Sequence, residues 1–258
     1  MVTVIDTLAL ARAMKRLSAC MDRRCRPAGF LHNTFAAAPF GTAYVCISPG
    51  EQGADASANH NRVQICGADG GLTAAGLAGL LRLFGDAGIR RFFVWLAPGP
   101  DIEAVRGWLV EAGLAPVGHA ICPTLARAVG APVAMPAGLE VREMASADAA
   151  EAMMIHYVAY DRERPIGCAA LCAFEEIGYL STALTTSTDR HRGAQQALLA
   201  KRIMTAAALG CRTLIAETPP HEASWHDLHV AGFEPVYAMD VYGARRGASI
   251  GLSSCGSR

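Results

Sequence analysis

Of 258 residues, 52% are hydrophobic and 18% are charged, with Lys plus Arg balanced against Asp plus Glu at 23 each. Such a chain can bury a full core in one large or two small domains. Its balance of charge provides no global field toward a polynucleotide or an anionic membrane, so any anion site must be local. The start, Met1-Val2-Thr3-Val4-Ile5-Asp6, has no basic stretch leading into an apolar one, and no apolar run approaches the roughly 20 residues of a membrane helix. The expectation is a cytoplasmic protein with neither nucleic acid nor membrane as partner.

The first half opens with a helix near Thr7 to Met21, whose Leu10, Met14, Leu17 and Met21 fall on one stripe. Strands near Thr42 to Ile47 and Arg62 to Cys66 flank a polar loop, Pro49 to Asn61. The following Gly67-Ala68-Asp69-Gly70-Gly71 lacks Gly-x-Gly-x-x-Gly spacing, so it reads as a turn and not as a dinucleotide fingerprint. A helix from Thr73 to Ala87 begins on a Thr N-cap. Phe92, Val94, Leu96, Trp108 and Leu109 then supply apolar core. The nine cysteines, at 20, 25, 46, 66, 122, 168, 172, 211 and 255, show no zinc-ligand spacing. Cys46, Cys66, Cys168, Cys172 and Cys211 sit in apolar, strand-like contexts that favour buried reduced thiols, and no metal is expected.

Gly130 to Gly138, rich in Pro, Gly and Ala, reads as a linker. Strands follow near Leu139 to Glu143, Tyr157 to Asp161, Gly167 to Phe174 and Gly178 to Thr185. Helix Gly193 to Leu209, strand Arg212 to Glu217, helix Ala223 to Ala231 and strand Pro235 to Tyr242 complete the second half. Two stretches repeat one another: Ala87-Gly88-Ile89-Arg90 to Pro98 parallels Leu209-Gly210-Cys211-Arg212 to Pro219, and Ala112-Gly113-Leu114-Ala115-Pro116-Val117 parallels Ala231-Gly232-Phe233-Glu234-Pro235-Val236. Two copies of a helix-strand-helix-strand unit are the simplest reading. The ranges expected are 1–130, a linker at 131–138, 139–243, and a disordered tail at 244–258.

The segment Arg190-His191-Arg192-Gly193-Ala194-Gln195, between an alternating strand and a helix, carries the clearest chemistry. A basic, glycine-containing turn at a helix start offers unpaired backbone N–H groups, a favourable dipole and formal charge to a pyrophosphate.

These residues resemble the acyl-CoA turn, Arg/Gln-x-x-Gly-x-Gly/Ala, of the GCN5-related N-acetyltransferases; Arg190, Gly193 and Gln195 take the defining places, and Gln195 departs from the pattern at the sixth. Arg192-Gly193-Ala194-Gln195 with Ala197-Leu198-Leu199 matches a form common in bacterial members, and the element order from about 139 to 242 is similar to theirs. The resemblance implies an α/β (α+β) fold of two tandem acyl-CoA N-acyltransferase-like domains, each a mixed, mostly antiparallel sheet flanked by helices, the first copy degenerate. It implies that acetyl-CoA, or another acyl-CoA, binds the second half only, since Asp69 opposes a pyrophosphate in the first. Its cofactor residues would be Leu184 or Thr185, whose strand N–H polarises the thioester, then Arg190, His191, Arg192, Gly193, Ala194, Gln195 and Gln196, with His221 in the place of a cofactor-contacting Asn.

The acceptor would be a primary amine of a small molecule, on a monomer or homodimer. The base is sought among Glu175, Glu176, Tyr179 and Glu217, and a proton donor in His226 or Tyr237, although Glu175-Glu176 also reads as a solvated hairpin turn, Tyr179 as a packed strand residue and His226 as part of a polar helix face. Leu228 falls where the usual proton-donating Tyr sits. Met144 to His156 is too short for the two helices that line the acceptor pocket in that family, leaving the first half to line it. A catalytically weak acyl-CoA-binding module is therefore the alternative to an N-acyltransferase.

Overall fold

The computed structural model describes residues 5–25, 31–49, 61–117, 123–130, 132–147, 152–220 and 222–244. In chain order the first elements are α1 (Thr7–Cys25), β1 (Leu31–Thr34), β2 (Tyr44–Ile47), β3 (Arg62–Cys66), α2 (Ala74–Asp86), β4 (Phe93–Ala97), α3 (Ile102–Glu111) and β5 (Leu114–Pro116). They are followed by β6 (Pro123–Ala128), β7 (Leu139–Ala147), β8 (Met153–Asp161), β9 (Arg164–Phe174), β10 (Ile177–Tyr179) and β11 (Ala183–Thr185). A short 3-10 turn over Ser187–Asp189 leads into α4 (Ala194–Ala208), β12 (Thr213–Glu217), α5 (Ala223–Val230), β13 (Glu234–Ala238) and β14 (Asp240–Ala244).

Two compact units result, one spanning 5–117 with 237–244 and the other 123–236. The first holds a sheet of order β1-β2-β3-β4-β14-β5, in which β3 and β4 are parallel and joined through α2. Parallel neighbours need such a crossover, because a tight turn can only reverse the chain. Leu77, Leu80, Leu81 and Phe84 form the buried stripe of α2 and pack with Val63, Val94, Leu96, Leu109 and Tyr242. Each fully buried side chain of this kind contributes roughly 1.5–3 kcal/mol.

The second unit repeats the device. Its sheet runs β13-β6-β12-β10-β9-β8-β7, with β11 on β9, and α4 joins the parallel pair β10 and β12. Leu198, Leu199 and Ile203 of α4 bury against Tyr157, Ile166, Leu171 and Leu214.

Several expectations require correction. The units do not follow the contiguous ranges 1–130 and 139–243. Instead, β6 pairs β12 from Thr124↔Glu217 to Ala128↔Thr213, and β14 pairs β4 and β5. The strand expected over Pro235 to Tyr242 is two strands in two sheets. Asp240 takes hydrogen bonds from Arg106 Nε (2.9 Å) and Nη2 (2.7 Å), and Tyr242 enters the first core, contacts far apart in sequence that periodicity does not register. Between the second-unit strands there is more sheet than expected: β7 and β8 pair as far as Ala147↔Met154, so both strands extend into the segment read as too short for helices. The proposed tail from 245 onward and most of the polar loop, 50–60, lie outside the described residues. Cys46, Cys66, Cys172 and Cys211 are buried, whereas Cys168, expected to be buried, is exposed on β9.

Candidate functional site

The strand expected from Gly178 to Thr185 breaks in the middle, and the break creates a cleft. Up to Leu180, whose N–H donates to Ile215 C=O (2.8 Å), the chain is paired on both sides. Ser181 and Thr182 then both oppose Ala170, whose N–H lies 3.2 and 3.0 Å from their two carbonyls. One extra residue on one strand is a β-bulge, and it changes which residues face which neighbour. Thr182 C=O and Thr186 N–H face β9 (Thr186 to Ile166 C=O, 3.1 Å), so Leu184 between them faces β9 as well. The N–H groups of Ala183 and Thr185 point the other way. There β12 has parted from the strand, its pairing ending at Tyr179↔Ile215, and it stays paired only with β6 on its other side. Thr185 Oγ1 is buried with no hydrogen-bond partner among the described residues.

The turn follows directly. His191 (φ 62°) and Gly193 (φ 82°) are both left-handed, which turns the chain sharply into α4. No side chain among the described residues caps this helix, and its first backbone bond is Ala197 N–H to Gly193 C=O, so the N–H groups of Ala194, Gln195 and Gln196 remain available. A Cβ on Gly193 would lie 3.2 Å from Pro136 Cβ, so a residue read as linker packs against the turn.

Arg192 does not serve the turn as a spare charge. It donates to Asp189 Oδ1 (2.8 Å) and to Asp161, while Arg164 grips Asp189 with Nη1 (2.8 Å) and Nη2 (2.6 Å). Asp189 also accepts from Thr186 Oγ1 (2.6 Å) and Thr188 Oγ1 (3.1 Å). Arg164 first, then Thr186, hold its carboxyl well below the usual carboxylate range despite its burial. This knot braces the turn from beneath, and Arg190 and His191 are left lining the cleft.

The outer cleft, about 730 Å³, is lined by Leu184, Thr185, Arg190, His191, Gly193, Ala194, Gln195 and Gln196 together with Glu222 and His226. An inner cavity of about 220 Å³ shares Ala183, Gln195, Glu222, Ser224 and Asp227 with it and adds Leu180, Arg202, Glu217 and Leu228. Of the suggested catalytic residues, Tyr179 and Glu217 are brought together, Tyr179 Oη donating to Glu217 Oε2 (3.1 Å) while Thr124 Oγ1 donates to Oε1 (3.3 Å). Glu176 is not with them. It is exposed, its carbonyl accepts from Arg212 and Thr213 N–H, and its carboxylate pairs with Arg212 at the start of β12, whereas Glu217 ends that strand. Tyr237 is buried in β13, separated from β12 by β6, and lines neither cavity. His226 lines only the outer cleft. His221 lies outside the described residues. Leu228 lines the inner cavity as an apolar side chain. The residue missed was Arg202, a charge on the apolar stripe of α4 among Leu198, Leu199 and Ala206.

No protein-family model matches the sequence, and no curated protein is similar to it. Solved structures are. A GCN5-related N-acetyltransferase from Kribbella flavida superposes with a TM-score of 0.63 over 92% of this chain and 95% of that one, at 16% identity. A tandem GNAT protein from the clavulanic acid biosynthesis pathway gives 0.65 over 94% of each chain, at 11% identity. The chain has the fold of the GCN5-related N-acetyltransferases. A member from Sphaerobacter thermophilus, at 0.53 over 92% and 93% of the two chains and 13% identity, agrees. Within the N-acetyltransferase fold, the parted strands, the bulge and the uncapped helix start lie along one continuous cleft. No described helix is long and apolar enough to cross a membrane.

Proposed function

We propose that the unit spanning 123–236 binds one acyl-CoA and transfers its acyl group to an amine of a small molecule. The observation that carries this reading is the bulge at Ser181 and Thr182, which turns two strand N–H groups toward an open cleft leading to an uncapped helix start. The cleft fits the group. Its outer end offers the N–H groups of Ala194 to Gln196 and the charge of Arg190 to a pyrophosphate. Ala183 and Thr185 offer N–H groups, and Thr185 an unpartnered hydroxyl, to an amide-bearing arm lying alongside the strand.

When bound, the thioester would supply the electrophilic carbonyl carbon for a neutral amine; the carbon–nitrogen bond forms, the carbon–sulfur bond breaks, and the sulfur leaves as a thiolate that takes its proton from water. The strand N–H of Ala183 stabilises negative charge developing on the carbonyl oxygen. Glu217, oriented by Tyr179 and Thr124, accepts the proton released by the amine, directly or through a water.

Calorimetry with CoA, followed by thiol release from acetyl-CoA in the presence of an amine panel, tests the reading. The expected result is one CoA bound per chain and amine-dependent thiol release. Absence of CoA binding overturns it. Tight binding without turnover on a broad panel favours an acyl-CoA-binding module, the reading supported by Leu228, which offers the inner cavity no proton.

A further inference from the structure

Arg202 is about 2% exposed, and its stripe-mates on α4 are Leu198, Leu199 and Ala206. Its Nε donates to Leu198 C=O (3.1 Å), and Nη1 donates to the carbonyls of Ala170 and Ser181 (3.4 Å each), the residues that frame the bulge. All three acceptors are neutral. Burial draws the pKa of Arg202 down to about 10, and no carboxylate offsets that effect. A buried charge is ordinarily paired, and a guanidinium is a rigid fork whose natural partner is a planar, two-oxygen anion. Nη2 makes no hydrogen bond among the described residues, and Arg202 lines the inner cavity. The carboxylates on the same cavity do not fill the role. Glu217 is held by Tyr179 and Thr124, Asp227 accepts from Gln196 Nε2 (3.4 Å), and Glu222, the third, makes no hydrogen bond or ion pair with Arg202 among the described residues.

The position along α4 indicates which part of a ligand would meet it. From Gly193 at the turn to Arg202 the helix rises about 14 Å at ~1.5 Å per residue, comparable with the reach of an extended pantetheine arm. A cation there faces the acyl end and not the phosphates.

We propose that Arg202 receives a carboxylate carried on the acyl chain, so that the acyl donor is the CoA thioester of a short dicarboxylic acid. This rests on the acyl-CoA reading above. The test measures binding of CoA, acetyl-CoA and succinyl-CoA to the full chain by competition calorimetry, in the wild type and in Arg202→Met and Arg202→Lys. Wild type should bind succinyl-CoA about tenfold more tightly than acetyl-CoA, the effect of one charge-assisted pair. Arg202→Met should bring the two to equality, and Arg202→Lys should keep part of the preference. Equal wild-type affinities overturn the proposal and leave the acyl-CoA reading standing, whereas no binding of CoA itself overturns both. A preference that survives in Arg202→Met overturns the assignment to this residue. A loss in Arg202→Met confined to the KM of acceptors carrying a carboxylate moves the anion to the acceptor and overturns the acyl assignment. If Arg202→Met does not fold, the wild-type ratio and Arg202→Lys still decide.

Discussion

The two strand-turn-helix segments, Arg62 to Asp86 and Ile177 to Ala208, share one frame and end in opposite states. In the second, pairing with the parallel neighbour stops at Leu180, and a bulge turns N–H groups into the gap. In the first, β3 and β4 stay paired through Cys66↔Ala97, and Gly67 N–H to Ala97 C=O (3.1 Å) and Ala68 N–H to Pro100 C=O (2.6 Å) carry the closure further. Glycine makes that closure possible. A Cβ on Gly67 would lie 2.3 Å from Pro100 O, and one on Gly99 2.1 Å from Cys66 O. The helix starts differ in the same sense. Thr73 Oγ1 accepts the Gly76 N–H (3.0 Å), consuming a donor that α4 leaves available.

Even the acidic residues are handled alike but placed differently. Asp69 is drawn down to about 2 by Arg12 despite its burial, with Thr42 also donating to it. Asp189 is held by Arg164, Thr186 and Arg192. In one unit the knot fills the turn of a closed strand pair; in the other it braces the turn of an open one. An anion site is therefore a matter of where donors are left unspent, beyond the count of positive charges.

The largest test of this comparison removes the strand the first unit takes from the far end of the chain. A chain stopped after Ala238 loses β14, the pairings with β4 and β5, and Tyr242, whose removal from a core costs about 3 kcal/mol or more by itself. Circular dichroism should show loss of the first unit's cooperative melt, while a chain stopped after Ala244 melts as the full protein does. If the Ala238 truncation melts normally, the exchanged-strand description is wrong. Deleting residues 1–130, by contrast, would also take β6 out of the second sheet.

Next in size is Gly193→Glu. It places a carboxylate at a helix start and a side chain on a backbone with φ 82°, a strain of about 1–2 kcal/mol. CoA affinity should fall roughly a hundredfold or more while the circular dichroism spectrum is retained. Unchanged affinity by calorimetry would remove the turn from the site.

The acid limb of stability should report Asp189. Because its folded-state pKa lies below the ordinary value of 3.8, its contribution is complete above that value and is lost as pH falls from there toward the folded-state pKa. Melting temperature should therefore drop below about pH 4, and Asp189→Asn should flatten part of that limb while lowering the plateau. A variant with the wild-type slope would show that the knot does not brace the turn.

The smallest effect separates the two arginines. Arg190→Ala should weaken CoA binding about three- to tenfold, more at low salt, because an exposed charge is screened. Arg192→Ala should instead lower the melting temperature through Asp189 and Asp161. The reverse pattern would return Arg192 to the role the sequence suggested for it.

The sequence by itself determined what depends on neighbours a few residues apart. The helix with Leu10, Met14 and Leu17 on its buried stripe, the Thr73 cap of α2 and the strand over Arg62 to Cys66 are local decisions of period and capping, and they stand as read. The resemblance to the N-acetyltransferases rested on the turn from Arg190 to Gln195 and on the order of elements from about 139 to 242. What only the tertiary structure decided involves partners remote in the chain. The placing of β6 and β14 depends on pairing across about 90 residues for β6 and more than a hundred for β14, with Arg106 meeting Asp240 as one anchor. The bulge exists only relative to Ala170 on the opposing strand, so Tyr179 to Thr185 read as one uninterrupted alternation. Arg192 looked like a ligand for phosphate because Asp161, which it pairs with, and Arg164, which shares its neighbour Asp189, lie well upstream in the chain, and Glu176 looked catalytic because the sequence does not say which end of a strand faces the cleft. Periodicity reports which face of an element is buried; which charges are already neutralised, and which N–H groups remain unspent, is settled by what packs against that face.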